Sequence, residues 1–394
     1  MSLNRSRVFQ AVANGTLVAT RWIERLVRGP LPDTPQALKS ARCFLFFQYE
    51  TALGSNIHAT PVYEALKLAL PDAKTVVACG KLGFEVLKHN PFVDYLIQTP
   101  DPYTHLFHAA RFLRTYLREQ QLAPDAIVTN TSNVRRSISL LALFTSNALR
   151  VGYTLAPRLY HFTLKRDSST SLIANNLRLI GLMGHEHAHV EPRVAYTSTD
   201  LAEAEQWLQQ NGTGNSAPRI VFVTQTSPTQ RKSWPADRFV AVANQSISRY
   251  GANLIFVGTA SEASAIASIR SKIKGKTLSL AGQTSIPSLA ALLSSSDLAV
   301  TLDTGNMHIA RSVGLPMIVL APAWDPGIEW LPWGFDQFRI FKGDDIAFAP
   351  PGYQILEVDT AEVLESIDDL LTRYPASATA RRQRVDRRIS QTRV

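Results

Sequence analysis

Cysteine is almost absent from this chain. Its 394 residues include two thiols, Cys43 and Cys79, which lie in separate apolar runs and outside any C-x-x-C pair. That argues against a disulfide framework and for buried, reduced thiols. Long hydrophobic runs are missing as well. No stretch of about 18 consecutive apolar residues occurs, so no membrane-spanning helix is expected. Neither G-x-G-x-x-G nor G-x-x-x-x-G-K-[ST] is present, which removes the signatures of dinucleotide and P-loop sites. The one histidine cluster, His185, His187 and His189 in "HEHAH", follows Gly184 and leads into Pro192. It reads as a polar linker rather than a metal centre. No metal and no cofactor is expected.

The body of the chain also lacks net charge. The formal charge is +9, but residues 1–40 hold six Lys/Arg against two acids, and residues 375–394 hold six Arg against one. The ends therefore account for the whole excess. A nucleic-acid reader usually carries its basic face on the folded domain, so no nucleic-acid partner is expected. Basic ends suit an anionic membrane surface better. Within the first, Val18, Trp22, Ile23, Leu26 and Val27 share one helical face, opposite Arg21, Arg25 and Arg28, and Gly29-Pro30 ends the pattern. This fits an interfacial helix, and equally a helix packed on its own protein or a partner. Peripheral attachment to the cytoplasmic membrane, from the cytoplasmic side, is the expectation.

What the chain has in abundance is alternation. "CFLFFQY", "KTVVACG", "DYLIQT", "DAIVTN" and "ALRVGY" read as strands, with helices "VYEALKLALP", "LGFEVLKHN", "LFHAARFLRTYLREQ" and "VRRSISLLALFTS" among them and "ETALGSNIHATP" as a loop. After a polar stretch over 184–199 the style repeats, with strands "RIVFVTQ", "NLIFVG", "LSLAG" and "LAVTL". Such spacing implies parallel sheets covered by helices. We expect an α/β protein of two doubly wound, Rossmann-like domains facing a cleft, over 41–190 and 191–374. A basic segment over 1–40 and an Arg-rich tail over 375–394 flank them. Ligands belong at the C-terminal ends of the strands.

Those strand ends carry the candidate chemistry. "VTLDTGNMHIARSVGLPMIVLAP" reads as strand, tight turn, helix, strand, with Asp303, Thr304 and Gly305 at the turn and His308 one turn into the helix. A strand feeding a helix start across small residues leaves free N–H groups for an anion, usually a phosphate. An aspartic protease would need a second Asp-Thr/Ser-Gly, and none exists. After "IVFVTQ" come Thr226, Ser227 and Lys232, a set that suits a diphosphate. After "LIFVG" comes Glu262, placed either to bond a ribose diol or to serve the start of its own helix.

Together these segments resemble glycosyltransferase family 9, over roughly residues 42–372. "DTGNMHIARSVGLPMIVLAPAWDP" is similar to the family's D-[ST]-G-x-x-H segment, "TSPTQRKSWPADRF" to its phosphate loop, and "GTASEASAI" to the stretch whose Glu contacts the ribose. The resemblance implies a GT-B fold, with an acceptor-side domain first and a nucleotide-sugar domain second. It implies inverting, metal-independent transfer of a heptose-like sugar from a nucleoside-diphosphate donor, ADP-linked, to a cell-envelope glycolipid or polysaccharide. Thr226, Ser227, Lys232, Glu262, Asp303, Thr304, Gly305 and His308 would hold the donor.

The first loop departs from the family pattern. Where the family has Gly-Asp, with the Asp as the expected base, this chain has Gly54-Ser55, and Tyr49 stands where a basic residue is common. A serine is no base at neutral pH without an activator. His58, with an imidazole suited to neutral pH, and Glu50 on the same loop are the substitutes. The other reading is a non-catalytic nucleotide-sugar-binding or membrane-associated assembly protein.

Overall fold

The computed structural model describes residues 35–185, 189–214, 216–226, 231–325 and 327–388. The amphipathic segment near Trp22, and Ser227 of the phosphate loop, lie outside them. The first sheet holds β1 (Cys43–Gln48), β2 (Lys74–Cys79), β3 (Tyr95–Gln98), β4 (Ala126–Thr129), β5 (Leu149–Gly152) and β6 (Phe162–Thr163), in the order β3-β2-β1-β4-β5-β6. The second holds β7 (Arg219–Val223), β8 (Asn253–Phe256), β9 (Thr277–Ser279), β10 (Leu298–Leu302), β11 (Met317–Ala321) and β12 (Phe338–Lys342), in the order β12-β11-β10-β7-β8-β9. Every pairing is parallel. The two sheets thus repeat one doubly wound topology. Each reverses winding direction next to its first strand, between β1 and β4 and between β7 and β10. That is where such sheets open a crevice for ligand.

The strand sequences explain the layering. "CFLFFQ" and "LAVTL" are buried along their whole length, as strands covered by helices on both faces must be. Helices such as Leu106–Glu119 and Ala236–Tyr250 bury one stripe and expose the other. Gly251 ends the latter in the left-handed conformation.

Three features differ from the sequence reading. The expected loop "ETALGSNIHATP" contains a helix, Leu53–Ala59, whose last six residues are all buried. Its contacts are tertiary, so local pattern concealed it. β6 and β12 were not anticipated, the first because two residues carry no period. The Arg-rich tail includes a helix, Ala378–Arg388, docked on the second domain. There Arg381 is buried and pairs with Asp297 at 2.5 Å, and the Arg384 guanidinium lies 3.8 Å from the same carboxylate. These two charges serve the fold and are not free for a membrane.

The two domains meet directly. Helix Leu53–Ala59 lies against helix Gly305–Ser312 so closely that a Cβ on Gly54 would stand 2.6 Å from His308 Cδ2, and one on Gly305 would stand 2.8 Å from Leu53 Cδ2. A side chain at Gly54 would meet the His308 ring, and one at Gly305 would have to shift Leu53. The linker is tied down as well: Glu191 accepts two hydrogen bonds from the buried Arg311 guanidinium, at 2.8 and 3.0 Å.

Candidate functional site

The first crevice is lined by amides. β1 ends at Gln48, and the Tyr49 N–H donates to Asn133 Oδ1 at 3.0 Å. Asn133 Nδ2 donates back to the Phe47 carbonyl and to Asn130 Oδ1. Asn130 Nδ2 then donates to Glu50 Oε1 at 2.5 Å. Asn56 Nδ2 donates to the carbonyls of Glu50 and Ala52, which fixes the turn into helix Leu53–Ala59. Glu50 is buried here, and its Oε2 has no hydrogen-bond partner. Burial disfavours the carboxylate and raises its pKa to about 7, against the pull of hydrogen bonds from its surroundings. Ser55 is buried one residue before Asn56.

The second crevice is ionic. Lys232 Nζ lies 2.6 Å from Asp303 Oδ2 and 2.7 Å from Asp325 Oδ2, and 5.2 Å from the centre of the Trp324 ring. Burial works against the ammonium, but the two carboxylates outweigh it and hold the Lys232 pKa above its ordinary value. The lysine expected to meet a diphosphate is therefore already neutralised, and the trio is formally −1. Arg231, just before it, has φ of 48°, a left-handed conformation for a residue with a side chain. Thr304 precedes helix Gly305–Ser312 without capping it, and its buried Oγ1 has no partner. Thr226 closes the described part of the strand-end segment after β7. Glu262 Oε2 accepts from Thr259 N at 2.7 Å in a capping box, the helix-start role weighed for it above.

Between the crevices stand two histidines. His58 Nε2 and His308 Nδ1 are 3.0 Å apart and share one hydrogen bond across the domain contact, with their rings edge to face. Trp330 flanks both, its ring centre 5.4 Å from that of His58 and 6.0 Å from that of His308. Burial pushes the His58 pKa well below its ordinary value, reinforced by His308 and Arg311. Burial, with Arg311 and Lys232 nearby, brings His308 down to about 3. Both rings are neutral at pH 7. The expectation of a near-neutral titration at His58 is thereby corrected: the sequence places a histidine on the loop, but residues of both domains bury it. His58 Nδ1 is left without a partner.

The structure thus joins His58 to His308, puts Ser55 on the His58 helix, and binds Lys232 to Asp303. Glu262 is engaged in the capping box of its own helix start. Sequence reading missed Asp325, Asn130 and Trp330. Asp325 and Asn130 each follow a strand closely, so the strand-end rule that singled out Asp303 would have found them. Trp330 carried no such signal. Among the described residues no group of His, Cys, Asp and Glu is arranged to hold a metal ion.

The profile of glycosyltransferase family 9 (heptosyltransferase) matches residues 117–337. Lipopolysaccharide heptosyltransferase 3 of Escherichia coli is 23% identical over 349 residues, covering 83% of this chain and 98% of the relative. Among solved structures, a family 9 glycosyl transferase from Veillonella parvula DSM 2008 superposes with a TM-score of 0.75 at 19% identity, over 84% of this chain and 97% of the other. The E. coli ADP-heptose lps heptosyltransferase II gives a TM-score of 0.69 at 19% identity, over 84% and 98%. The likeness to both is one of fold, the two-domain GT-B arrangement. With its profile match covering more than half of its length, the chain belongs to glycosyltransferase family 9 and is a glycosyltransferase.

Proposed function

We propose that this enzyme moves a heptose-like sugar from an ADP-linked donor to a cell-envelope glycolipid or polysaccharide, with inversion and without a metal ion. The observation that carries the reading is the junction at His58 and His308, where the crevices of the two domains face each other. The donor side offers a helix start at Gly305, whose free amides and dipole favour the charge that develops on a leaving diphosphate. The Thr304 hydroxyl is an unused donor beside it. Lys232 suits the diphosphate, while Asp303 and Asp325, as acceptors, suit sugar hydroxyls. The names of the relatives, lipopolysaccharide heptosyltransferases, support the choice of sugar and acceptor.

Inverting transfer is a single displacement, so one group takes the acceptor proton as the hydroxyl attacks. Glu50 now ranks ahead of His58. A carboxylate with a pKa near 7 and an unpartnered oxygen is matched to that task, whereas a histidine held neutral by burial is a weak base. Ser55 keeps the family's position without its chemistry. Attachment to the inner face of the membrane follows from the glycolipid acceptor and from the basic amphipathic segment near the N-terminus.

The test is direct. The protein is incubated with ADP-heptose and a lipopolysaccharide lacking heptose, in EDTA, and product is sought by mass spectrometry. Transfer in EDTA is expected. Transfer that needs added Mg²⁺ overturns the metal-free mechanism. Nucleotide binding without transfer to any acceptor favours the non-catalytic reading.

A further inference from the structure

The helix Leu106–Glu119 has an outer face that its own protein leaves unused. Its inner stripe, Ala109, Ala110, Leu113 and Leu117, is buried. On the opposite side Phe107, Arg111, Arg114 and Arg118 follow at i, i+4, i+7 and i+11, and so point one way. Phe107 is 73% exposed, and its ring lies against that of Phe144, with centroids 5.4 Å apart. Arg111, Arg114 and Arg118 are exposed, and among the described residues none of their guanidinium groups has an ion pair or hydrogen bond. That is unusual in this chain. Arg166, Arg193, Arg249, Arg311, Arg339 and Arg381 are each paired with a carboxylate. Arg114 and Arg118 also rim an open groove of about 680 Å³ against Ser146 and Asn147.

We infer that this face of the first domain docks on an anionic lipid surface. Aligned cations with free donors complement a layer of headgroup phosphates, and a protruding aromatic ring gains by entering the boundary below them. The inference rests on the glycolipid reading above and adds a contact on the folded acceptor-side domain to the one proposed for the N-terminal segment.

Flotation of the full chain with vesicles tests it, using phosphatidylcholine alone or mixed with phosphatidylglycerol. Binding to the mixed vesicles and not to the neutral ones is expected. Arg111→Gln/Arg114→Gln/Arg118→Gln should lower the partition coefficient roughly 100-fold, about fivefold per arginine. Arg114→Gln alone should give about one such step, so the inference stays testable if the triple variant folds poorly. Phe107→Ser should weaken the binding that persists in high salt. Undiminished binding by a triple variant with unchanged melting temperature overturns the inference. So does equal binding to neutral vesicles, or loss of binding only when residues 1–30 are removed. Loss of oligonucleotide binding with vesicle binding intact assigns the face to nucleic acid instead. The two proposals fail separately. If the transfer reading is wrong, no product forms from a detergent-dispersed acceptor. If only this inference is wrong, product forms and the vesicle results do not change with the stripe.

Discussion

Glu50→Gln probes both the electrostatics and the chemistry of the first crevice. Burial raises the Glu50 pKa from 4.5 to about 7, which corresponds to about 3 kcal/mol between its protonation states. The sign follows from where the proton sits. Below pH 4.5 the carboxyl is protonated in both folded and unfolded chains, and ionisation has no effect. From 4.5 to 7 the unfolded chain ionises first, so stability falls as pH rises. Above 7 both are ionised, and the folded state carries the full deficit. Glutamine resembles the protonated acid, since its oxygen can still accept from Asn130 Nδ2. The variant should therefore match the parent at low pH and exceed it by up to about 3 kcal/mol well above pH 7. Urea denaturation across that range measures the gap. Activity should move the other way. If Glu50 is the base, kcat drops by ~10²–10⁴, and the acidic limb of the rate profile, with its midpoint near 7, disappears. A stability gap that does not vary with pH would refute the buried-carboxylate argument. A limb that persists in the variant would refute the assignment of the base.

Three further outcomes follow from particular contacts. Lys232→Met leaves Asp303 and Asp325 buried without their cation, and should lower stability by about 3–5 kcal/mol in chemical denaturation, with partial recovery on adding Asp325→Asn. A fall in nucleotide affinity without any fall in stability would mean that Lys232 is held less firmly than its two contacts imply. Gly54→Ala puts a methyl 2.6 Å from His308 Cδ2, so the domains should part, with a larger radius of gyration in X-ray scattering and slower turnover. Asp297→Ala strands the buried Arg381 guanidinium and should cost about 3–5 kcal/mol by denaturation; a neutral result would show the C-terminal helix to be dispensable.

Each half of the site was legible in sequence, and their union was not. Strand-end placement singled out Asp303 and Lys232 because a parallel sheet presents those ends to ligand whatever the rest of the chain does, whereas Glu50 came from the departure of the first loop from the family pattern. The hydrogen bond between His58 and His308 spans 250 residues, and no local period encodes a pairing at that separation. Burial was hidden for the same reason. His58 lies in an ordinary-looking loop sequence, yet packing from both domains removes it from water and reverses the expectation for its protonation. Glu262 shows the complementary case. "TASE" is a capping box on its face, and the chain forms it.

The domain contact also constrains the order of events. The amides at the start of helix Gly305–Ser312 are the natural seat for a diphosphate, but Leu53 of the opposite domain packs against Gly305. A donor reaching those amides must displace that side chain or part the two helices. Parting them breaks the His58–His308 hydrogen bond and exposes two imidazoles whose pKa values burial, with charged neighbours, holds below the ordinary value. Exposure returns their pKa values toward the ordinary range, so acid favours the open form and higher pH the closed one.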